Sequence, residues 1–165
     1  ITYLQLKAAR HSLNLGVRDV AKILRVSKST ISKAELGKTR DFLYKHSAAL
    51  IDFFASHNIK FPSEYSIRYH ITDDKQQQLN QYNNTLTRFQ LKTARHILNI
   101  SQEKLAKSIH IDKGIISQTE QLSNEEIIKL QDQSIILKLK DLFQQRNIEF
   151  PDQLSIFFKK YMDIK

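Results

Sequence analysis

The chain has 165 residues, 41% of them hydrophobic, which suits one ordinary globular domain or two small ones. It contains no cysteine, which excludes disulfides, cysteine-based zinc sites and a thiol nucleophile. A net charge of +9 predicts a surface that attracts polyanions, with nucleic acid first and anionic membranes second.

Apolar residues at helical spacing predict two helices in the first 24 residues. Breaks follow at residues 14–16 and 25–26, and Ser27 is placed to N-cap a third helix through its hydroxyl. Gly37 suits the C-terminal end of that helix, and residues 47–57 predict a fourth. We therefore expect about four helices in this part of the chain.

Two Phe-Pro dipeptides, at 61–62 and 150–151, interrupt the helical pattern because proline lacks an N–H and restricts the residue before it. Residues 66–71 and 155–162, which follow them, alternate in the manner of strands. Two such equivalent strands could pair within one chain or between two chains. The second arrangement would give a homodimer through the C-terminal strands.

The chain contains an internal repeat. A shift of 85 residues superposes residues 4–35 on 89–120 with 14 of 32 positions identical, and a shift of 89 superposes 58–67 on 147–156. The amide-rich segment between the copies offers little for a core, so we interpret it as a linker with some helix. The predicted organisation is a first domain at 1–71, a linker at 72–85 and a second domain at 86–165.

The second copy repeats the helix signals of the first. Ser101 and Asp112 are its N-cap candidates, and residues 127–146 predict a last helix. No apolar run in the chain approaches the roughly 20 residues that span a bilayer, and the first residues lack a signal-peptide pattern. We therefore expect no membrane contact.

Residues 6–39 resemble the helix-turn-helix of the phage-repressor (Cro, XRE) family, whose members read roughly L-x-x-x-R, an L-A pair, V-S-x-x-x-I-S and E-x-G. The resemblance covers about 35 residues in each copy. It implies an all-α fold of two tandem helix-turn-helix domains, with a short strand allowed at the end of each. The matching positions are Arg10, Ala21, Val26, Ile31, Glu35 and Gly37 in the first copy and Arg95, Ala106, Ile111, Ile116 and Glu120 in the second.

The resemblance also implies structural roles. Ala21 and Ala106 are the small residues expected where two steeply crossing helices touch. The turn position that often holds glycine is Arg25 in the first copy and His110 in the second, where a positive φ is costly.

The Arg and Glu positions of the motif are interpreted as internal salt bridges, because a carboxylate facing a phosphate would repel it. The expected pairs are Arg10 with Glu35 and Arg95 with Glu120.

The resemblance places DNA contacts on the third helix of each copy and beside it. Lysine donates to guanine, glutamine pairs with adenine, and serine or threonine serves either a base or a phosphate. The predicted DNA-binding residues are Ser27, Lys28, Ser29, Thr30, Ser32, Lys33, Lys38, Thr39 and Arg40 in the first copy and Gln102, Lys113, Gly114 and Gln118 in the second.

The two copies differ in charge over matched spans. Residues 1–45 carry ten Lys or Arg against three acidic residues, whereas residues 86–130 carry seven against five. Because each neutralised phosphate releases counterions, the first copy is expected to bind DNA more strongly.

These observations predict a sequence-specific transcriptional regulator of prokaryotic or phage-like type that binds double-stranded DNA. We expect a cytoplasmic, nucleoid-associated protein. No nucleophile motif, phosphate-cradling glycine loop or paired carboxylates in an apolar setting is present in the sequence, so an enzyme is not expected. His11 and His96 have no partner at metal-ligand spacing, and neither a metal nor a cofactor is expected.

Two other functions remain open at this point. The weaker second copy is compatible with a protein-interaction module, such as an antitoxin-like or anti-repressor subunit, that uses the same helical scaffold on a partner. A basic RNA binder is the third alternative, but the sequence lacks the exposed aromatic platform typical of single-strand recognition.

Overall fold

The structure, a computed structural model, describes residues 1–159. Thr2 and Ser27 cap the first and third helices of the first copy, since each side chain accepts a hydrogen bond from a backbone N–H three residues later. Arg25 ends the second helix in the left-handed conformation, at φ 57°, and His110 adopts the same φ in the second copy. The helices are α1 (Tyr3–Ser12), α2 (Val17–Leu24), α3 (Lys28–Glu35) and α4 (Arg40–Ser56).

The second copy repeats these four helices after a short connecting helix. Ser101 N-caps the second of them by accepting from the Lys104 N–H, whereas Asp112 makes no side-chain cap hydrogen bond. The helices are α5 (Asp73–Asn80), which lies in the expected linker, followed by α6 (Arg88–Ile97), α7 (Gln102–Ser108), α8 (Lys113–Thr119) and α9 (Ser134–Gln145).

The helix predicted over 127–146 is wrong at its start. Ile127 forms an antiparallel bridge with Thr87, and the Ile128 N–H donates to the Leu86 carbonyl at 2.8 Å. The backbone of Ile127 and Ile128 is therefore hydrogen-bonded to the residues that precede α6 and cannot form helical hydrogen bonds. Asp132 then accepts from the Ser134 N–H at 2.9 Å, and α9 begins there.

The all-α class is also wrong, because the part of the chain that is described combines nine helices with a four-stranded antiparallel sheet. Each Phe-Pro segment turns back on itself as a hairpin, and the inner strands of the two hairpins pair, which satisfies their backbone groups. The strand order is β1-β2-β4-β3. The strands are β1 (Ile59–Lys60), β2 (Ser66–Tyr69), β3 (Ile148–Glu149) and β4 (Ser155–Phe158).

Both predicted strands end earlier than expected. The first stops at Tyr69 instead of residue 71, and the second stops at Phe158. Residues 160–162 of the second prediction lie outside the described residues.

The sheet joins the copies about a pseudo-two-fold axis. Ile67 and Ile156, which are equivalent in the repeat, face each other across β2 and β4. On one side of them Ser66 faces Phe157, and on the other Arg68 faces Ser155, so each pair recurs with the copies exchanged. This reciprocity is the mark of an isologous contact, here within one chain.

Helices α1 and α6 cross each other at the same axis. The Lys7 ammonium donates to the Asn99 side chain at 2.5 Å, and the equivalent Lys92 donates to Asn14 at 2.5 Å. The equivalent rings of His11 and His96 stack with centroids 3.5 Å apart and planes 6° from parallel. We call this contact the seam, made of Lys7, His11, Asn14, Lys92, His96 and Asn99.

The stacked imidazoles of the seam are neutral. Guanidinium nitrogens of Arg10 and Arg95 approach Nε2 of His11 and His96 at 2.9 and 3.0 Å, and because a guanidinium only donates, Nε2 accepts. Burial, followed by the charge of Arg10, lowers the pKa of His11 to about 3. Burial and the charge of Arg95 lower the pKa of His96 to about 2.

This depression of the two histidine pKa values makes stability depend on pH. Below the ordinary pKa of 6.5 the two histidines bind protons in the unfolded chain but not in the folded chain. Their contribution to the free energy of unfolding is therefore complete above pH 6.5 and is lost as the pH falls. The free energy of unfolding, measured by urea titration, should fall between pH 6 and pH 5 by up to about 2.7 kcal/mol per pH unit for two protons.

A His11→Gln/His96→Gln double variant should have a shallower slope over the same range, whereas His70→Gln, at an exposed histidine, should keep the wild-type slope. Equal slopes for the wild type and the double variant would contradict this reading of the seam.

Candidate nucleic-acid interface

Helix α3 is fixed in place by its buried face. Ile31 and Ala34 are fully buried in a core that also includes Val20 and Ala21 of α2. The opposite face of α3 is left to solvent. In the second copy Ala106 and Ile116 are buried in the same way.

The start of α3 presents hydroxyl groups and a lysine. The Ser27 hydroxyl oxygen caps the helix and lies 3.1 Å from the Ser29 hydroxyl and 2.7 Å from that of Thr30. Ser27 is exposed, but its hydroxyl also has a structural role as the helix cap. Lys28 and Ser29 are exposed, and Lys33 follows Ser29 by one helical turn on the same face.

The remaining predicted contacts of the first copy are placed unequally. Lys38 and Arg40 are exposed, and Ser32 is half-buried. The hydroxyl oxygen of Thr39, in contrast, is buried and has no hydrogen-bond partner among the described residues, so this hydroxyl is not exposed as Lys38 and Arg40 are.

Arg10 ties α3 to α1. Its guanidinium donates to both carboxylate oxygens of Glu35, at 2.5 and 2.9 Å, and to the Leu15 carbonyl at 2.6 Å. Both side chains are only 8% exposed. The structure therefore uses this arginine to hold the C-terminal end of α3 and the loop after α1, with its donors turned inward.

The second copy repeats this bridge with one addition. Arg95 donates to both oxygens of Glu120 at 2.7 Å and to the Ile100 carbonyl at 2.8 Å. Gln102 also donates to a Glu120 oxygen, at 3.3 Å, where the first copy has Val17. The amide of this predicted DNA-binding residue is thus directed to the internal bridge.

Helix α8 exposes fewer of the predicted contact residues than α3. It has seven residues, and Lys113 and Gln118 are its exposed polar side chains among the predicted contacts. A Cβ at Gly114 would lie 2.9 Å from a carboxylate oxygen of Asp112, so a side chain at this position would displace the carboxylate. Glycine at position 114 therefore leaves room for the Asp112 carboxylate.

Exposed cations concentrate on the first copy. Over residues 1–45, none of the exposed Lys and Arg side chains pairs with a carboxylate within the described residues 1–159, whereas in the matched span of the second copy Lys107 pairs with Glu103 at 3.3 Å. The exposed cations of the first copy are Arg18, Lys22, Arg25, Lys28, Lys33, Lys38, Arg40 and Lys45, against Lys104, Lys107, Lys113 and Lys129 in the second. The potential of the interface is therefore more positive on the α3 side.

The hairpin and the third helix of each copy are held by opposite ends of its first helix. The N-terminal end of α1 is held to the hairpin by Gln5, which donates to the Ser63 and Ser66 carbonyls, and Gln90 does the same for α6. The C-terminal end of α1, with Arg10 and His11, holds α3. In each copy, therefore, the hairpin is held at the N-terminal end of the first helix and the third helix at its C-terminal end.

A cavity of about 560 Å³ opens beside the seam, between the copies. Its lining comes from the end of α1 and from the helix-turn-helix of the second copy, and α3 does not contribute to it. Its lining includes His11, Asn14, Lys92, Gln102, Ser117 and Gln121.

Sequence reasoning missed the residues that join the copies. Arg88 is 1% exposed and donates to four oxygens, namely the carbonyls of Ser12 and Glu120 and the side chains of Asn14 and Asn124. Its position in the first copy holds a tyrosine, so the repeat gave no signal for it. The seam residues, by contrast, are identical in the two copies, and that identity was an available signal.

Comparisons with known proteins identify no relative: no family model, no curated protein and no solved structure matches the chain. Within residues 1–159, no helix is long and apolar enough to cross a membrane. The same residues contain no cluster of three or more His, Asp or Glu side chains arranged to hold a metal ion.

The buried bridge gives a stability prediction. Glu35→Ala leaves the Arg10 guanidinium buried without its carboxylate, so the free energy of unfolding should fall by about 3–5 kcal/mol. Urea unfolding followed by circular dichroism measures it. The matched control is Glu149→Ala, whose pair with Lys159 is about half exposed and should cost less than about 1 kcal/mol. Equal costs for the two variants would refute the structural role of the bridge.

Proposed function

We propose that this chain is a sequence-specific regulator of transcription that binds double-stranded DNA, of the phage-repressor helix-turn-helix type. The observation that carries the proposal is α3: a helix held from behind by buried apolar residues and a buried bridge, with an exposed face that carries Lys28, Ser29 and Lys33. A helix of this kind fits the major groove of DNA, where such side chains reach base edges.

The surrounding groups have complementary roles in this proposal. Lys38 and Arg40, exposed just after α3, hold phosphates and set the position of the helix in the groove. Lys113 and Gln118 of α8 make the corresponding contacts of the second copy, with fewer cations to support them. The function is one of binding, without catalysis or a cofactor, in a cytoplasmic, nucleoid-associated protein.

A Lys28→Ala/Lys33→Ala variant tests this role. On a duplex enriched from a random pool by the wild-type chain, it should bind at least about 10-fold more weakly, because base-edge contacts are worth roughly 1–3 kcal/mol each. Lys38→Ala/Arg40→Ala should instead reduce the dependence of log affinity on log salt by about 0.9 for each lost phosphate contact. Fluorescence anisotropy over a salt titration measures both.

The control for these variants is Lys60→Ala, at an exposed lysine of β1 in the sheet, which should bind as the wild type does. Failure to enrich any duplex, or unchanged binding by Lys28→Ala/Lys33→Ala, would overturn the proposed function.

A second candidate is a protein-interaction module on the same scaffold. It is favoured by large apolar side chains exposed on the first copy, with Leu36 at 66%, Tyr44 at 90% and Ile51 at 41%. A Leu36→Ser/Tyr44→Ser variant that keeps its DNA affinity but no longer binds a protein partner that the wild-type chain binds would support this candidate. Loss of DNA affinity through Lys28 and Lys33 would favour the first.

A further inference from the structure

The symmetry of the molecule constrains which DNA it can read. The seam contacts and the strand register recur when the copies are exchanged. The same pseudo-two-fold rotation therefore relates α3 to α8. Two reading helices related by a two-fold axis match the symmetry of an inverted repeat, because the two-fold axis of such a repeat is perpendicular to the duplex. Two units related by translation would instead meet a direct repeat.

Both reading helices are held beside the seam. The bridges Arg10–Glu35 and Arg95–Glu120 hold the C-terminal ends of α3 and α8 beside the stacked His11 and His96. The inner strands of the sheet are already paired with each other within the chain. One chain therefore provides the two-fold arrangement without a second copy.

The two helices carry different side chains at equivalent reading positions. Lysine is present at the first exposed position of both, Lys28 and Lys113, but Lys33 of α3 corresponds to Gln118 of α8. Lysine donates to guanine O6 and N7, whereas glutamine pairs with adenine N6 and N7. The half-site under α3 should therefore have guanine where the half-site under α8 has adenine.

We infer that a single copy of this chain binds one duplex in a 1:1 complex and reads an inverted repeat with unequal halves, distinguished by Lys33 in one half and Gln118 in the other. The inference rests on the proposed DNA-binding function and adds to it the stoichiometry, the relative orientation of the half-sites and the base by which they differ.

The first test is selection of duplexes from a random pool with the full chain, followed by native mass spectrometry of the complex with the enriched duplex. The expected result is an imperfect inverted repeat bound by one chain. A direct repeat, a lone half-site or a complex with two chains would overturn the inference and leave DNA binding intact. Enrichment of no duplex would overturn both.

The second test changes the distinguishing residue. Lys33→Gln gives both helices glutamine at this position, so selection should yield adenine in both halves, and affinity for the wild-type site should fall about 10-fold at the substituted position. Lys33 is exposed, and circular dichroism checks that the fold is unchanged.

Lys60→Gln, remote from the reading helices, is the matched control and should select the unequal wild-type site. If Lys33→Gln selects the same unequal site as the wild type, Lys33 does not distinguish the halves and the inference fails.

Discussion

The rest of the structure depends on one constraint: every contact across the seam recurs when the two copies are exchanged. His11 stacks on His96, and Ile67 faces Ile156, because a two-fold axis passes between them. An axis of this kind requires both copies to present the same surface. The residues of the seam are accordingly identical in the two copies, while much of the helix-turn-helix has diverged around them.

The departures from symmetry are as informative as the symmetry. Arg88 stands where the first copy has a tyrosine, and its guanidinium links the end of α1 to the end of α8. Gln102 is bound to the internal bridge of the second copy, and α8 lacks a side chain at Gly114. These changes lie in the copy that carries fewer exposed cations. A protein built from two chains of one sequence cannot differentiate its halves in this way.

The sequence supports the helices better than the sheet. Helical periodicity and caps such as Ser27 are local signals, and they locate α1 to α3 well. The outer strands have two residues each, which is too short for alternation to be recognised, and the pairing of β2 with β4 joins residues about 90 positions apart. The orientation of Gln102 toward Glu120 and the four partners of Arg88 likewise depend on tertiary contacts. No spacing rule specifies them.

The central claim, that one chain folds about its own two-fold axis, is most directly tested by disulfide trapping in this cysteine-free protein. Arg68 and Ser155 are partners across β2 and β4, so Arg68→Cys/Ser155→Cys should oxidise to an intrachain disulfide in the monomer, detected by non-reducing electrophoresis and intact mass. Lys60→Cys/Ser155→Cys, separated by two strand spacings of roughly 4.8 Å each, should remain reduced. Disulfide-linked dimers or free thiols from the first variant would contradict the account.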